Sequence, residues 1–200
     1  MRIPRKLVFK YDNFFHIFNK FNPELTLKRK ELFTIQEIIN KEALLSQEVK
    51  IVASNILQNH YHLLLSINET EYNNKYPDEK RLGIYVFMQK INTKIAIYVN
   101  NRKKRHGKVF YDRYKSKLID CIEYFNHAFL YITNNAMKHY GIKKEKWKYS
   151  SYHFYNKTKN LIQKFIVHFG IWTKKIFGVS PLNRNHPQTN NNIPFFLEDT

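Results

Sequence analysis

An α+β fold, a small antiparallel sheet with packed helices in a ferredoxin-like or RRM-like arrangement, is predicted by three observations. Apolar residues recur at helical spacing in three segments. Other segments are short, rich in strand formers and bounded by turn residues. The two kinds alternate as strand, helix, strand, strand, helix, strand, helix, with no internal repeat. The chain has 200 residues, which suits one domain with a tail and is enough for a real core.

Phe14-Phe15-His16-Ile17-Phe18 reads as the first strand, and Pro23 with its polar neighbours as a loop. From Arg29 to Ser46, Leu32, Ile35, Ile38, Ile39 and Leu45 fall at helical spacing. Val49–Leu57 is the second strand, Gln58-Asn59 a tight connection, and the third strand runs from there through Ile67. Asn68–Lys80 is polar, contains Pro77 and reads as a loop. The second helix carries Ile84, Phe87, Met88, Ile91, Ile95 and Tyr98 on one stripe. It ends in Arg102-Lys103-Lys104-Arg105, cations that suit a helix C-terminus, with Gly107 as the stop just beyond. Val109-Phe110-Tyr111 is expected to begin the fourth strand.

The third helix is expected from Asp120 to Lys138, with Ile122, Phe125, Phe129, Ile132 and Ala136 as its core stripe. A second stripe, about 100° round the axis, holds Tyr124, Ala128, Tyr131 and Asn135. Tyr131 and Asn135 are four apart and share a face. That stripe is expected at the margin of the buried side, where packing can hold a tyrosine that still reaches solvent or a ligand. Leu161–Phe177 has helical spacing with several lysines, and Pro181–Thr200, with its three prolines and many asparagines, reads as a loose tail.

Lys plus Arg is 34 and Asp plus Glu is 16, a formal charge of +18. Such an excess is costly unless a polyanion or a membrane surface offsets it, and its spread along the whole chain favours nucleic acid. Fourteen Tyr and sixteen Phe are interleaved with the basic residues. Beyond those that fill the core, such rings offer stacking platforms for single-stranded nucleic acid. Cys121 is the sole cysteine and cannot form an internal disulfide. The basic start Met1–Lys6 is followed by no secretory h-region, and no apolar run is long enough to cross a bilayer. A cytoplasmic protein is expected.

Within the third strand stands Asn59-His60-Tyr61-His62-Leu63. Side chains alternate along a strand, so His60 and His62 point one way and Tyr61 the other. Two such imidazoles can grip one divalent cation while Tyr61 anchors the strand in the core. Alone, the pattern fits two histidines on a half-exposed strand better than it fits a ligand pair.

More than this one pattern is present. Asn59-His60-Tyr61-His62-Leu63-Leu64-Leu65 resembles the HUH signature of single-tyrosine transposases, of the insertion-sequence type and its REP-associated relatives. Tyr131-Ile132-Thr133-Asn134-Asn135 resembles that family's Tyr-Ile-x-x-Asn catalytic helix. The segment Gly107-Lys108-Val109-Phe110-Tyr111-Asp112-Arg113-Tyr114-Lys115-Ser116 resembles its Gly-x-hydrophobic-aromatic-x-x-Arg-aromatic-x-Ser stretch. Trp147-Lys148-Tyr149-Ser150-Ser151-Tyr152 resembles Trp-x-x-Ser-Ser-Tyr, and Phe15-His16-Ile17 resembles the His-bearing first strand. The five stand in the family's order and span about residues 3–155. Two departures occur: Leu57-Gln58 replaces the usual Met-Pro, and Ala136 replaces the proline after Asn135. Neither removes a reacting group. The resemblance thus implies a transposase domain over 1–155, followed by a basic helical extension and tail over 156–200.

The resemblance further implies nicking and rejoining of single-stranded DNA beside hairpins, through a 5′-phosphotyrosine link. Tyr131 would be the nucleophile. His60, His62 and Asn135 would hold Mg²⁺ or Mn²⁺, a pairing that suits an oxygen-rich remainder of the shell. Tyr124, on the same stripe, is a rival nucleophile without the motif. His16, His127, His139, His153 and His168 read as structural or exposed. Arg102, Lys103, Lys104 and Arg105 are candidates for the DNA backbone or simply a solvated helix end. Arg113 either contacts phosphate or braces its loop. The partner would be hairpin-bearing single-stranded DNA, with no membrane, bound by a monomer or a homodimer. Two competing functions share these residues: a non-cutting DNA or RNA hairpin-binding protein derived from a transposase, and a nuclease that uses water.

Overall fold

The computed structural model describes residues 13–46, 48–68, 73–78, 83–119 and 121–152. The basic start 1–6, residues 69–72, 79 and 80 of the 68–80 loop, Asp120, His153, His168, the 155/156 boundary and the whole 156–200 extension lie outside them. The elements are β1 (Asn13–Lys20), α1 (Arg29–Ser46), β2 (Val49–Ile56), β3 (His60–Ile67), α2 (Gly83–Lys103), β4 (Lys115–Ile119) and α3 (Ile122–Tyr140). The strands form one sheet in the order β2-β3-β1-β4, with all neighbours antiparallel. This is the expected α+β class.

Strand alternation divides the protein into three layers. Phe15 and Ile17 of β1 and Tyr61, Leu63, Leu65 and Ile67 of β3 join the core made with α1 and α2. Phe14 of β1, Leu64 of β3 and Ile119 of β4 join a second cluster with Phe125, Ala128 and Ile132 of α3. α1 begins with a reciprocal cap, in which the Lys28 N–H donates to Glu31 Oε2 at 2.7 Å. It is tied to α2 by the ion pairs Glu31–Lys103 and Glu42–Lys94. The apolar stripe of α2 is Ile84, Phe87, Met88, Ile91 and Ile95, closing on Val99, while Tyr98 is half-buried. α3 ends at Gly141, whose φ of 64° is left-handed. The Gly141 N–H donates to Met137 O and the Ile142 N–H to Ala136 O, a glycine stop that satisfies the last carbonyls.

β2 carries a β-bulge. Ile51 pairs with Leu65, but Ala53 pairs with Leu64, so Val52 is an extra residue. The insertion reverses the strand's phase. Ile51 packs toward α1 and α2, whereas Val52 and Ala53 both enter the α3 cluster. Two residues further on, Asn55 faces α3, directly across from His62.

The fourth strand lies later than expected. Val109-Phe110-Tyr111 does not begin it: Phe110 makes only an isolated bridge to Phe21. Val109 is buried, and Phe110 stacks on Phe21 with centroids 5.4 Å apart. The segment hooks round the end of β1, with the Asn22 N–H donating to Val109 O and the Tyr111 N–H to Lys20 O. A turn follows in which Asp112 Oδ1 accepts the Arg113 N–H at 2.7 Å. Pairing with β1 starts only at Lys115.

Tyr61 is fully buried, and its hydroxyl donates to Asn92 Oδ1 of α2 at 2.6 Å. Burial raises its pKa well above the ordinary tyrosine value. Removing the hydroxyl deletes the shorter of two bonds to Asn92 Oδ1, the other coming from Asn19 Nδ2 at 3.4 Å, so Tyr61→Phe is expected to lower stability by about 1 kcal/mol. Urea unfolding of the two proteins measures this.

Candidate active site

β3 brings His60 and His62 out on the α3 face, and both are buried, at 1% and 2% exposure. Their ring centroids are 5.1 Å apart with planes at 87°, so the pair converges rather than splays. α3 lays its second stripe across them. Tyr131 meets His62 edge to face at 5.1 Å between centroids. One turn on, Asn135 Oδ1 is 3.0 Å from His60 Nε2. Asn135 is completely buried, not a residue of the helix margin, whereas Tyr131 and Tyr124 of the same stripe are half-buried. His60, His62, Tyr131 and Asn135 are therefore gathered within a single chain.

The hydrogen bonding bears on whether these residues suit a cation. His60 Nδ1 faces Asn59 Oδ1 at 2.8 Å, and its Nε2 faces Asn135 Oδ1. An amide oxygen only accepts, so a neutral His60 that donates from Nδ1 to Asn59 turns the Nε2 lone pair toward the lone pairs of Asn135. Either a cation between them or a flipped Asn135 amide, whose Nδ2 is otherwise unpartnered, removes that clash. His62 Nε2 is buried with no hydrogen-bond partner, a state that needs an explanation in a native site. No group of three or more His, Cys, Asp or Glu that could hold a metal occurs among the described residues. A cation here would be held by two imidazoles and an amide oxygen, and the donor set fits Mg²⁺ or Mn²⁺ completed by further oxygens.

Burial lowers the His62 pKa well below the ordinary histidine value, with His16, His60, His139 and Lys138 adding in that direction. Burial, with Lys117 beside it, lowers His16 to about 4. Both shifts favour the neutral imidazole.

Several further groups join the site, His16 of the first-strand motif among them. His16 of β1 lies between His62 and Tyr124, with Nε2 3.0 Å from His62 Nδ1 and Nδ1 3.3 Å from the Tyr124 hydroxyl. His139 sits 4.8 Å from His60, ring to ring. The spacing Tyr131, Asn135, His139 repeats every four residues, which was a visible signal. Lys138 Nζ lies over the Tyr131 ring at 5.3 Å. Asn55 Nδ2 donates to Ile132 O at 2.7 Å, clamping α3 onto the sheet between Tyr131 and Asn135. The Gln58 N–H donates to the Tyr140 hydroxyl at 3.1 Å.

The basic run is placed elsewhere. Arg102 and Lys103 end α2, which packs on the sheet face away from the histidines. Lys103 donates to Thr26 O and pairs with Glu31, and Arg105 donates to Lys108 O. Arg102 and Lys104 are exposed, as is Arg113 in the loop before β4. Nearer the imidazoles, Lys115 and Lys117 of β4 line a small recess with His16, Phe18 and Ser116. No helix among the described residues is long and apolar enough to cross a membrane.

Fold and cluster together define a class: an antiparallel sheet whose buried imidazole pair faces a phenol and an amide on one helix. No protein-family model and no curated protein matches the chain. Among solved structures, it is similar to a REP-associated tyrosine transposase bound to a REP hairpin. That likeness has 18% identity and a TM-score of 0.58, covering 76% of this chain and 84% of the other. It establishes a shared fold. A weaker likeness is to a Deinococcus radiodurans protein described as a transposase, with 16% identity and a TM-score of 0.42 over 67% of this chain and 97% of the other; it carries no weight.

Asn55→Leu keeps the volume but removes the donor to Ile132. It is expected to cost about 1–3 kcal/mol, read by urea unfolding, and to speed amide exchange in α3 more than in α1.

Proposed function

We propose that the chain is a metal-dependent single-tyrosine HUH transposase that nicks and rejoins single-stranded DNA next to hairpins. The observation that carries this reading is the placement of Tyr131 against His62 while Asn135, one turn later, meets His60. The likeness to a hairpin-bound transposase supports it at the level of fold, and the charge of +18 suits a polyanion.

His60, His62 and Asn135 would hold Mg²⁺ or Mn²⁺, which when bound polarises the scissile phosphate. The Tyr131 oxygen attacks phosphorus and loses its proton. The bond to the 3′ oxygen of the neighbouring nucleotide breaks, leaving a 5′-phosphotyrosine and a free 3′-OH. The reverse attack by a 3′-OH on that ester reseals a strand. One phosphoester replaces another at each step, so no nucleotide hydrolysis is needed. β3 and α3 are both packed elements, so the phenol is held near the phosphate site before DNA arrives. Arg102, Lys104 and Arg113 remain available for backbone contacts.

Hairpin-bearing single-stranded DNA incubated with the chain and Mn²⁺ should give a covalent protein–DNA adduct on a denaturing gel. Tyr131→Phe should abolish the adduct and leave the gel shift of the hairpin largely intact; an adduct that survives refutes the nucleophile. His60→Ala should remove activity together with its dependence on Mn²⁺. A salt-sensitive shift without any adduct would replace this reading with a hairpin-binding protein, and free 5′-phosphate ends would indicate a nuclease that uses water.

A further inference from the structure

We propose that His16 is a positioning residue that fixes the tautomer of His62, so that His62 Nε2 presents a lone pair on the side of His60 and Asn135. This rests on the metal-dependent reading above. The observation is a string of three side chains from three elements: the buried His62 of β3 and His16 of β1, and the half-buried Tyr124 in the first turn of α3. His16 is 6% exposed, and both its nitrogens are taken, Nε2 by His62 and Nδ1 by the Tyr124 hydroxyl. It stands behind His62 and is not itself placed as a ligand.

Such a string has two polarities. In the first, Tyr124 donates to His16 Nδ1 and His16 Nε2–H donates to His62 Nδ1. His62 then carries its proton on Nε2, which is buried and has no acceptor, a costly state. In the second, His62 Nδ1–H donates to His16 Nε2 and His16 Nδ1–H donates to the Tyr124 oxygen. The proton has left His62 Nε2, which then carries a lone pair able to bind a cation. Metal-binding histidines generally donate their other N–H to a fixed acceptor. His60 has that acceptor in Asn59 Oδ1; for His62 the acceptor is an imidazole. Lys117 lies opposite His16 in the β1–β4 register and over the Tyr124 ring at 4.3 Å, which holds the far end of the string in place.

The test titrates the full chain, without DNA, with Mn²⁺ and follows the free ion by its EPR signal. The wild-type chain should bind Mn²⁺ saturably, and His62→Ala should abolish the binding. His16→Leu, which keeps volume but offers no acceptor, should weaken it roughly 10- to 100-fold. His16→Gln, whose side-chain oxygen can accept from His62 Nδ1–H, should restore most of the affinity; a purely space-filling role would not separate the two variants in this way. Long-range ¹H–¹⁵N NMR of the wild-type chain with saturating Mg²⁺ should show the His62 proton on Nδ1. A folded His16→Leu chain with wild-type affinity overturns the positioning role and leaves the metal reading standing, whereas a His62 proton on Nε2 overturns the positioning role together with His62 as a ligand. A wild-type chain that takes up no Mn²⁺ overturns both. The NMR measurement needs no variant, so the proposal stays testable even if His16→Leu does not fold.

Discussion

The two-residue period of β3 is the constraint on which the site depends. Within three consecutive positions it sends Tyr61 into the core under α1 and α2 and sends His60 and His62 toward α3. The buried Tyr61–Asn92 bond makes that choice strong. A slip of one residue would bury both imidazoles in an apolar core and lift a phenol into the polar site. The core thereby enforces the orientation of the histidines, and their chemistry is a property of the sheet rather than of a loop.

Around the imidazoles the protein supplies neutral donors and distant positive charge. Asn59, Asn135, His16 and Tyr124 each meet a ring nitrogen of the network, and Lys117 and Lys138 lie over the two tyrosines. Neutral ligands leave the charge of a bound cation almost undiminished, which strengthens its pull on a phosphate oxygen. Burial also pushes the pKa values of His16 and His62 below the ordinary histidine value.

Much of this was readable from the chain. α1 matches its expected span, because one face of it is regularly apolar, and β2 and β3 fall where strand formers cluster. The meeting of His60, His62, Tyr131 and Asn135 followed from alternation on a strand and a four-residue step on a helix. β4 was misplaced because Lys115-Ser116-Lys117-Leu118-Ile119 has few apolar residues, while Val109 and Phe110 are apolar for a different reason: they cover the end of β1. His16 looked structural because its partner is 46 positions away, a distance that only the β1–β3 pairing closes. Nor does the residue pattern of β2 betray its bulge, since Val52 and Ala53 are as apolar as their neighbours. Asn135, expected at a margin, is buried because Asn55 draws the helix down at Ile132.

The bulge in β2 has a second effect. β2 is an outermost strand of the sheet, and such a strand invites another molecule to extend the sheet. Past the bulge, the free side of β2 is occupied by the 149–151 segment: the Ile56 N–H donates to Tyr149 O, the Ser151 N–H to Ser54 O and the Ser54 N–H to Ser151 Oγ. Before it, the kink at Val52 breaks the regular ladder of backbone groups. The irregularity that turns Asn55 toward the helix thus also shields the protein against edge-to-edge aggregation, so straightening that strand would threaten solubility as well as the site.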